Sequence, residues 1–275
     1  MEDFVHLHVH TQYSILDGQA SVPKLVDKAI GNWMRGMAIT DHGNMFGIKE
    51  FFNYCNKVNK GKPDGEKFKP IFGCEVYCAA GDLHCHENTP EGNIRWHLIL
   101  LAKNKVGYHN LVKIVSEAWV DGNYRRPRTD HNSIKAHSEG LICSSACLAG
   151  ELPRYLQKGD MAKAEETIEW FKSVFGEDDY IELMRHEVKD PGIRANRDTF
   201  REQKAIEPQL IELAKKHGVK VICTNDSHFV DEDNAEAHDR LLCINTDKDL
   251  DDPTRMLYSK QEWFKTREEM NEVFK

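Results

Sequence analysis

The sequence predicts an α/β fold, a distorted barrel of seven strands with helices around it. Apolar runs of strand length recur along the 275 residues, and stretches with helical spacing separate most of them. Such alternation is typical of a parallel sheet, and seven runs are one too few for the eight-stranded barrel. The alternative, an open doubly wound sheet, lacks the Gly-x-Gly-x-x-Gly loop that would favour it. The predicted strands are 4–10, 37–40, 70–77, 97–102, 141–144, 180–184 and 219–224.

The helices are predicted from apolar residues at helical spacing and from the residues that flank them. One helix is predicted over 22–30, since Ser21 precedes the pattern and Pro23 stands in its first turn. Gly218 is expected to end a helix that contains 210–214. The same spacing predicts helices over 48–58 and 161–175, and polar stretches at 59–69 and 79–95 predict surface loops or a hairpin.

The composition is that of an ordinary globular protein, with 40% hydrophobic and 30% charged residues. No apolar run approaches the roughly 18 residues that span a bilayer, so we expect no membrane partner. The acidic amino terminus runs directly into a strand pattern and does not resemble a signal peptide, which predicts a cytoplasmic location. The formal net charge of −8 would repel nucleic acid, so local charges or metals would have to hold such a substrate.

The eight cysteines do not form a Cys-x-x-Cys pair, which argues against a zinc ribbon or a thioredoxin-like site. Most of them lie in or beside apolar runs. We therefore expect reduced, buried thiols.

Three of the 14 histidines occupy alternate positions of the first predicted strand. The pleat of a strand places His6, His8 and His10 on one face. Imidazoles at i and i+2 can then hold one metal, although a polar strand face would show the same pattern. We expect His6 to lie further from the rim and to fill the barrel.

Other predicted strands also run into residues that can bind metals. Asp41 and His42 follow the second strand, and Glu75 lies beyond Gly73 in the third. Asp226 and His228 follow the last. Each aspartate alone could instead cap the next helix. Because active sites of parallel α/β folds gather at the carboxyl ends of strands, the joint pattern predicts a metal centre at one rim.

These motifs resemble one family closely. They are His8-x-His10, Asp17-Gly18, Thr40-Asp41-His42-Gly43, Gly73-x-Glu75, the run from His97 to Ala102, and Asn225-Asp226-Ser227-His228. The pattern resembles the polymerase-and-histidinol-phosphatase (PHP) family, and most closely the amino-terminal PHP domain of bacterial replicative DNA polymerase III alpha subunits. Segments 104–116, 140–152 and 251–270 extend the resemblance over nearly the whole chain.

The resemblance implies a seven-stranded barrel that holds two or three divalent metals, zinc, manganese or iron. The implied ligands are His8, His10, Asp17, His42, Glu75, His97, Cys147, Asp226 and His228. Cys143 lies one turn from Cys147 and competes for its role. His97 begins its apolar run instead of following it, so only the resemblance places it in the site.

Catalytic roles are predicted for three carboxylates. Glu75 would bridge two metals, and Asp226 would bind one of them. Asp41 would orient a histidine ligand through its free ring nitrogen. Metals about 3.5–4 Å apart can clamp a phosphate and lower the pKa of water to about 7. A basic loop containing Arg125, Arg126 and Arg128 could hold nucleic-acid phosphates, but it could equally be a solvated loop.

The function implied is metal-dependent phosphoester hydrolysis within a DNA-directed DNA polymerase, acting as a 3′–5′ exonuclease on a single-stranded DNA end or on pyrophosphate. Residues 1–250 would form the metal-binding barrel, and 251–275 would lead toward a palm domain absent from this chain. The partners would be DNA, the rest of the alpha subunit and replisome proteins. The alternatives are a free-standing phosphatase of a small phosphomonoester such as histidinol phosphate, and a catalytically silent module that braces the polymerase.

Overall fold

A computed structural model describes residues 3–188, 190, 192 and 194–275. Its strands are β1 (Gly36–Ile39), β2 (Lys69–Cys78), β3 (Trp96–Ala102), β4 (Asn123–Tyr124), β5 (Arg126–Thr129), β6 (Leu141–Ser144), β7 (Asp179–Leu183) and β8 (Lys220–Cys223). Its α-helices are α1 (Val22–Gly31), α2 (Ile48–Val58), α3 (Lys105–Val120), α4 (His131–Ala136), α5 (Glu151–Gln157), α6 (Met161–Phe175), α7 (Arg201–His217), α8 (Ala235–Thr246) and α9 (Arg267–Val273).

The strands form one curled sheet whose main path is β4-β5-β2-β3-β6-β7-β8, with β1 paired to β2. The amino-terminal segment closes the ring between β1 and the end of β8. On one side Thr40 N–H donates to Val9 O at 2.8 Å, and on the other His10 N–H donates to Ser227 O at 2.7 Å. The predicted α/β fold with a distorted seven-segment barrel is therefore confirmed, and β4 and β5 add a small hairpin at its edge.

The first predicted strand differs from expectation. Residues 4–10 form no regular ladder, and the only bridge assigned there joins Val9 to Ser227. The segment has partners on both sides but makes only isolated hydrogen bonds, because the barrel is irregular where the ring closes. His6 is buried, as predicted, but it packs against Phe264 with ring centroids 4.1 Å apart.

The β–α alternation predicted a parallel sheet, but the sheet is mixed. β3 runs antiparallel to both β2 and β6, while the other neighbours on the ring pair in parallel. The reason is the long loop over 79–95, which returns the chain without a crossover helix. An antiparallel neighbour needs no such crossover. The reversal places the start of β3 at the rim where the other strands end.

The helices cover the barrel with the apolar faces that their spacing predicts. In α1 the buried side chains are Val22, Leu25, Val26 and Ala29, and α6 buries Ile168 and Phe171 among others. α7 ends at Gly218, whose φ of +63° is a left-handed conformation that favours glycine. All eight cysteines are free thiols. Within the described residues, no helix has both the length and the apolar character needed to cross a bilayer.

The carboxyl-terminal segment packs into the barrel. Phe264 is fully buried and Lys265 is 2% exposed. Phe264 N–H donates to Phe229 O at 2.8 Å, and His228 N–H donates to Glu262 O at 2.8 Å. The segment 259–265 therefore braces the chain that follows β8. The division at residue 250 stays a prediction.

Asp179 predicts a pH dependence of stability. Burial raises the pKa of its carboxyl from 3.8 to about 7, although the Tyr180 amide and Lys172 act in the opposite direction. Between pH 3.8 and about 7 the Asp179 carboxyl holds a proton in the folded state that it has lost in the unfolded chain. The contribution of Asp179 to the free energy of unfolding therefore falls as pH rises through this range. We expect Asp179→Asn to increase the free energy of unfolding by roughly 1–3 kcal/mol at pH 8 and to change it little near pH 4.

Urea denaturation of wild type and Asp179→Asn at both pH values measures the effect. The exposed Asp251 provides the control, because Asp251→Asn should change the free energy of unfolding by the same small amount at both pH values. An Asp179→Asn effect that does not grow with pH would contradict the prediction.

Candidate metal centre

The implied ligands come from distant parts of the chain and meet at one rim of the barrel. The amino-terminal segment supplies His8 and His10, and the loop after it supplies Asp17. His42 follows β1. The remaining residues are Glu75 in β2, His97 at the start of β3, Cys147 after β6, and Asp226 and His228 after β8. The reversal of β3 explains how His97 reaches the rim although it begins its strand.

Glu75 lies at the centre of the cluster and is fully buried. One carboxylate oxygen, Oε1, lies 2.9 Å from His97 Nδ1. The other, Oε2, lies 2.8 Å from His42 Nδ1 and 3.1 Å from His10 Nε2. Its two oxygens therefore face different histidines, which is the position that a bridging carboxylate needs.

Asp226 completes a second group of ligand atoms. Its Oδ1 lies 3.1 Å from His8 Nε2 and 3.2 Å from His10 Nε2. The residue has a φ of +47°, a left-handed conformation that aspartate adopts more readily than most residues. Asn225 fixes the turn, because its side-chain amide donates to the carbonyls of Gln261 and Trp263 at 3.0 and 2.9 Å.

Asp17 links the remaining histidines. Its Oδ2 lies 2.9 Å from His42 Nε2 and 3.7 Å from His228 Nε2. The Tyr258 hydroxyl donates to the same oxygen at 3.3 Å, and His238 Nε2 lies 4.0 Å from Oδ1. Neither Tyr258 nor His238 was predicted from the sequence.

Hydrogen bonds on the outer ring nitrogens orient His8 and His228. His8 Nδ1 lies 2.9 Å from Glu182 Oε2, a carboxylate that can only accept when ionised. His228 Nδ1 lies 2.8 Å from the carbonyl oxygen of Asp226. In both residues Nδ1 therefore carries a proton, and the neutral form of each ring presents the Nε2 lone pair to the centre of the cluster.

Asp41 contributes to the same arrangement, but less directly than predicted. It accepts hydrogen bonds from Thr11 and from Ser14 Oγ, the latter at 2.8 Å, and Ser14 Oγ lies 2.9 Å from His10 Nδ1. Because the serine hydroxyl donates to Asp41, it accepts from His10. The predicted direct contact between Asp41 and a histidine is therefore wrong, since Ser14 stands between them.

The buried polar atoms of this cluster fit a set of cations. In the neutral rings, the Nε2 lone pairs of His8 and His10 face carboxylate oxygens, and two acceptors cannot satisfy each other. Buried atoms without a hydrogen-bond partner cost about 1–3 kcal/mol each, so a positive ion between them would remove this cost. These atoms are His8 Nε2, His10 Nε2, Asp17 Oδ1, His42 Nδ1, Glu75 Oε2, Asp226 Oδ1, His228 Nε2 and His238 Nε2.

Three groups within the described residues have ligand atoms within 4.8 Å of one another. They are His8, His10 and Asp226; His42, Glu75 and His97; and His10, His42 and His228. Cys147 is not part of any of these groups. Its Sγ lies 3.7 Å from His97 Nδ1, at the edge of the cluster, and burial raises the pKa of the thiol.

The charges of the cluster keep its carboxylates ionised. Burial alone would raise the pKa of Glu75, but His97, His42 and His8 hold it well below its ordinary value. Burial likewise opposes ionisation of Asp226, and His8 and His228 lower its pKa well below the usual range. The site therefore offers anionic oxygens to a metal at neutral pH.

The pKa values of His10 and His8 are shifted in opposite directions. Burial lowers the pKa of His10, and the charges of His42 and His228 lower it further. Burial also opposes the protonation of His8, but Asp226 and Glu182 raise its pKa well above the ordinary value. A proton on His8 then stands where a metal would bind, so metal uptake would release it.

The basic loop is only partly available to a ligand. Arg128 is 2% exposed, and its guanidinium donates to the carbonyls of Gly92 and Cys85 at 2.7 and 2.6 Å. Its predicted contact with nucleic acid is wrong, because it holds the 79–95 loop. Arg125 is exposed but donates to Asn88 at 3.0 Å. Arg126 lines a cleft that leads to His42 and Asp17.

Comparison with protein families gives one match, to the PHP domain over residues 6–186. The chain belongs to the PHP family. The match includes the predicted ligands from His8 to Cys147, whereas Asp226 and His228 lie beyond it.

Curated relatives of this PHP chain are DNA polymerase III alpha subunits. Those of Borreliella burgdorferi and Treponema pallidum are 39% and 40% identical to it over 98% of its length. The chain spans about 22% of the length of each. Among solved structures, an amidohydrolase from Chromobacterium violaceum is 14% identical, with a TM-score of 0.49 over 83% of this chain and 89% of the other.

Proposed function

We propose that this chain binds two or three divalent metals and hydrolyses phosphodiester bonds at the 3′ end of single-stranded DNA. The convergence of buried, unpartnered nitrogen and oxygen atoms supports the metal centre. A mixed set of imidazoles and carboxylates suits zinc, manganese or iron better than magnesium. One ion would not use so many donor atoms, which favours more than one metal.

His8, His10 and Asp226 would hold one metal, and His42 and His97 another, with Glu75 between the two groups. When bound, the metals would supply Lewis-acid charge to a phosphate ester and make water a competent nucleophile near neutral pH. Glu182 keeps His8 in the tautomer that presents Nε2, and Ser14 with Asp41 does the same for His10. Arg126, at the mouth of the cleft, would attract the phosphate.

The wider assignment follows from the relatives. We propose that the chain acts as the PHP domain of a cytoplasmic replicative DNA polymerase III alpha subunit, together with the rest of that subunit, replisome proteins and DNA. An exonuclease role is favoured over pyrophosphate hydrolysis because exposed aromatic rings border the cleft beside the metal centre. Inorganic pyrophosphate offers no group that would stack on them.

Metal removal tests this proposal. Chain stripped with a chelator should hydrolyse neither a labelled single strand nor pyrophosphate, and added manganese or zinc should restore cleavage of the strand. Elemental analysis should then give two or three metals per chain, and the melting temperature should rise because the ions bind only the folded state.

His109 is exposed on α3 and provides a matched control. His109→Ala should keep the metal content and activity of the wild type. Reloaded chain that holds metals but cleaves neither the strand nor pyrophosphate would exclude the catalytic role and favour the bracing module. Chain that binds fewer than two metals would exclude the proposed centre itself.

A further inference from the structure

A cleft of about 150 Å³ opens directly beside the metal centre. Asp17 and His42, which are largely buried, line it, so anything bound in the cleft lies next to proposed metal ligands. The exposed side chains of Phe46, Trp119 and Arg126 line it as well. The cleft thus places two large aromatic side chains and one cation beside the position where a phosphodiester would be cut.

The two aromatic side chains are exposed although they are large and apolar. Phe46 is 54% and Trp119 41% exposed, and their ring centroids lie 5.7 Å apart at an angle of 43°. Neither ring is fully covered by its neighbour. Their free surface can therefore accept another flat ring.

Hydrogen bonds fix both aromatic residues relative to His42. Trp119 Nε1–H donates to the carbonyl of Gly43, the residue after His42, at 2.8 Å. The Phe46 amide donates to Asn44 Oδ1 at 3.0 Å, and Asn44 Nδ2 donates to His42 O at 3.0 Å. A ring stacked on this pair would therefore have a defined position relative to the metal centre.

Arg126 supplies the charge that a nucleic-acid strand needs. Its side chain is exposed, and the described residues give it no ion pair or side-chain hydrogen bond, in contrast to Arg125 and Arg128. On a chain of net charge −8, a free cation at the mouth of the cleft would attract a phosphate locally.

We propose that Phe46 and Trp119 form a stacking site for the terminal nucleobase of the strand, while Arg126 contacts an adjacent phosphate. This inference rests on the proposed function and names the group that the site recognises. Every base has a flat π-face, so such a site accepts all four and recognises a nucleotide instead of a sequence. A phosphomonoester without a ring would gain nothing from it.

Paired substrates test the stacking site in the full chain with manganese. One labelled strand ends in an ordinary 3′ nucleotide, and the other ends in an abasic tetrahydrofuran nucleotide. Trp119→Ala should lower kcat/KM on the ordinary end by roughly 5- to 150-fold, the range of base stacking on an aromatic ring. It should leave kcat/KM on the abasic end close to that of the wild type. Phe46→Ala should act in the same direction.

Trp33 is the matched control. It is 80% exposed and lies between α1 and β1, at the opposite end of β1 from His42, so Trp33→Ala should change neither rate. If Trp119→Ala lowers both rates equally, the aromatic pair supports the barrel or contacts another protein, and the stacking site is overturned. Unchanged rates on both substrates would overturn it as well.

Binding without turnover separates this inference from the proposed function. A strand ending in 2-aminopurine should lose fluorescence when it binds the wild type, because stacking quenches the base. Trp119→Ala should abolish the quenching, and Trp33→Ala should retain it. Quenching by a wild type that does not hydrolyse would refute the exonuclease and support the stacking site. Absence of quenching that depends on Trp119 would refute the stacking site whatever the activity.

Discussion

Replacing Asp226 by asparagine is expected to abolish hydrolysis while the barrel stays folded. The side chain keeps its shape but loses the negative charge that faces His8 and His10 at 3.1 and 3.2 Å. Asparagine also tolerates the left-handed backbone found at this position. The loss should exceed the 10- to 100-fold that typically follows changes in the residues supporting metal ligands.

The measurement compares wild type and Asp226→Asn on a labelled single strand with added manganese or zinc. Asp249 is exposed and is not one of the candidate ligands, so Asp249→Asn provides the control and should match the wild type. The melting temperature of Asp226→Asn should be lower than that of the wild type, since bound metals add to folding stability. Equal rates in wild type and Asp226→Asn would point to a contaminating nuclease, and the assignment would be withdrawn.

Phe264→Ala is expected to lower the free energy of unfolding of the whole barrel by roughly 3–5 kcal/mol, the usual effect of removing a buried phenylalanine. The Phe264 side chain is fully buried, at 0% exposure, in a hydrophobic core cluster and packs beside the ring of His6. Truncation would leave a cavity next to the segment that carries His8 and His10. Urea denaturation followed by circular dichroism measures the change.

Phe46→Ala is the matched control, since Phe46 is 54% exposed and its truncation should cost less than about 1 kcal/mol. If residues after 250 were independent of the barrel, Phe264→Ala would leave the main unfolding transition unchanged. That result would contradict the packing seen between this segment and the residues that follow β8.

Six strands of the ring, β1, β2, β3, β6, β7 and β8, were predictable from sequence because each contains a short apolar run between polar segments. The predicted strand 141–144 coincides with β6, and the predicted strands 37–40 and 180–184 are shifted by one residue from β1 and β7. The direction of β3 was not predictable in the same way. An apolar run reads equally well in either direction, and only its loop length and pairing partner decide the direction.

The candidate ligands and Asp41 were predicted through motifs, whereas the other residues that contact the candidate ligands carried no sequence signal. Glu182 lies within β7 and looks like a polar residue on one strand face, yet it contacts His8 at 2.9 Å. His238 on α8 and Tyr258 reach Asp17 only through the tertiary fold. Their role depends on contacts between segments more than 200 residues apart, which spacing along the chain cannot reveal.

Arg128 shows the opposite error, because a local sequence pattern predicted a nucleic-acid contact for a side chain that is buried. Three arginines in one short loop indicated a basic surface, but the 79–95 loop covers Arg128 while Arg126 stays exposed. Strand alternation does not predict this difference, because positions 126 and 128 lie on the same face of β5. Knowledge of the 79–95 loop, whose carbonyls accept from Arg128, was required.

The closure of the barrel by His10 and Ser227 has a consequence for synthesis of the protein. These residues are about 217 positions apart, so at roughly 5–20 residues per second the ribosome needs about 10–40 s between them. Throughout that interval His8 and His10 have left the ribosome without the aspartate that completes their group. A nascent chain would therefore offer passing metal ions only part of the proposed ligand set, and the proposed centre would be complete only after the final segments dock.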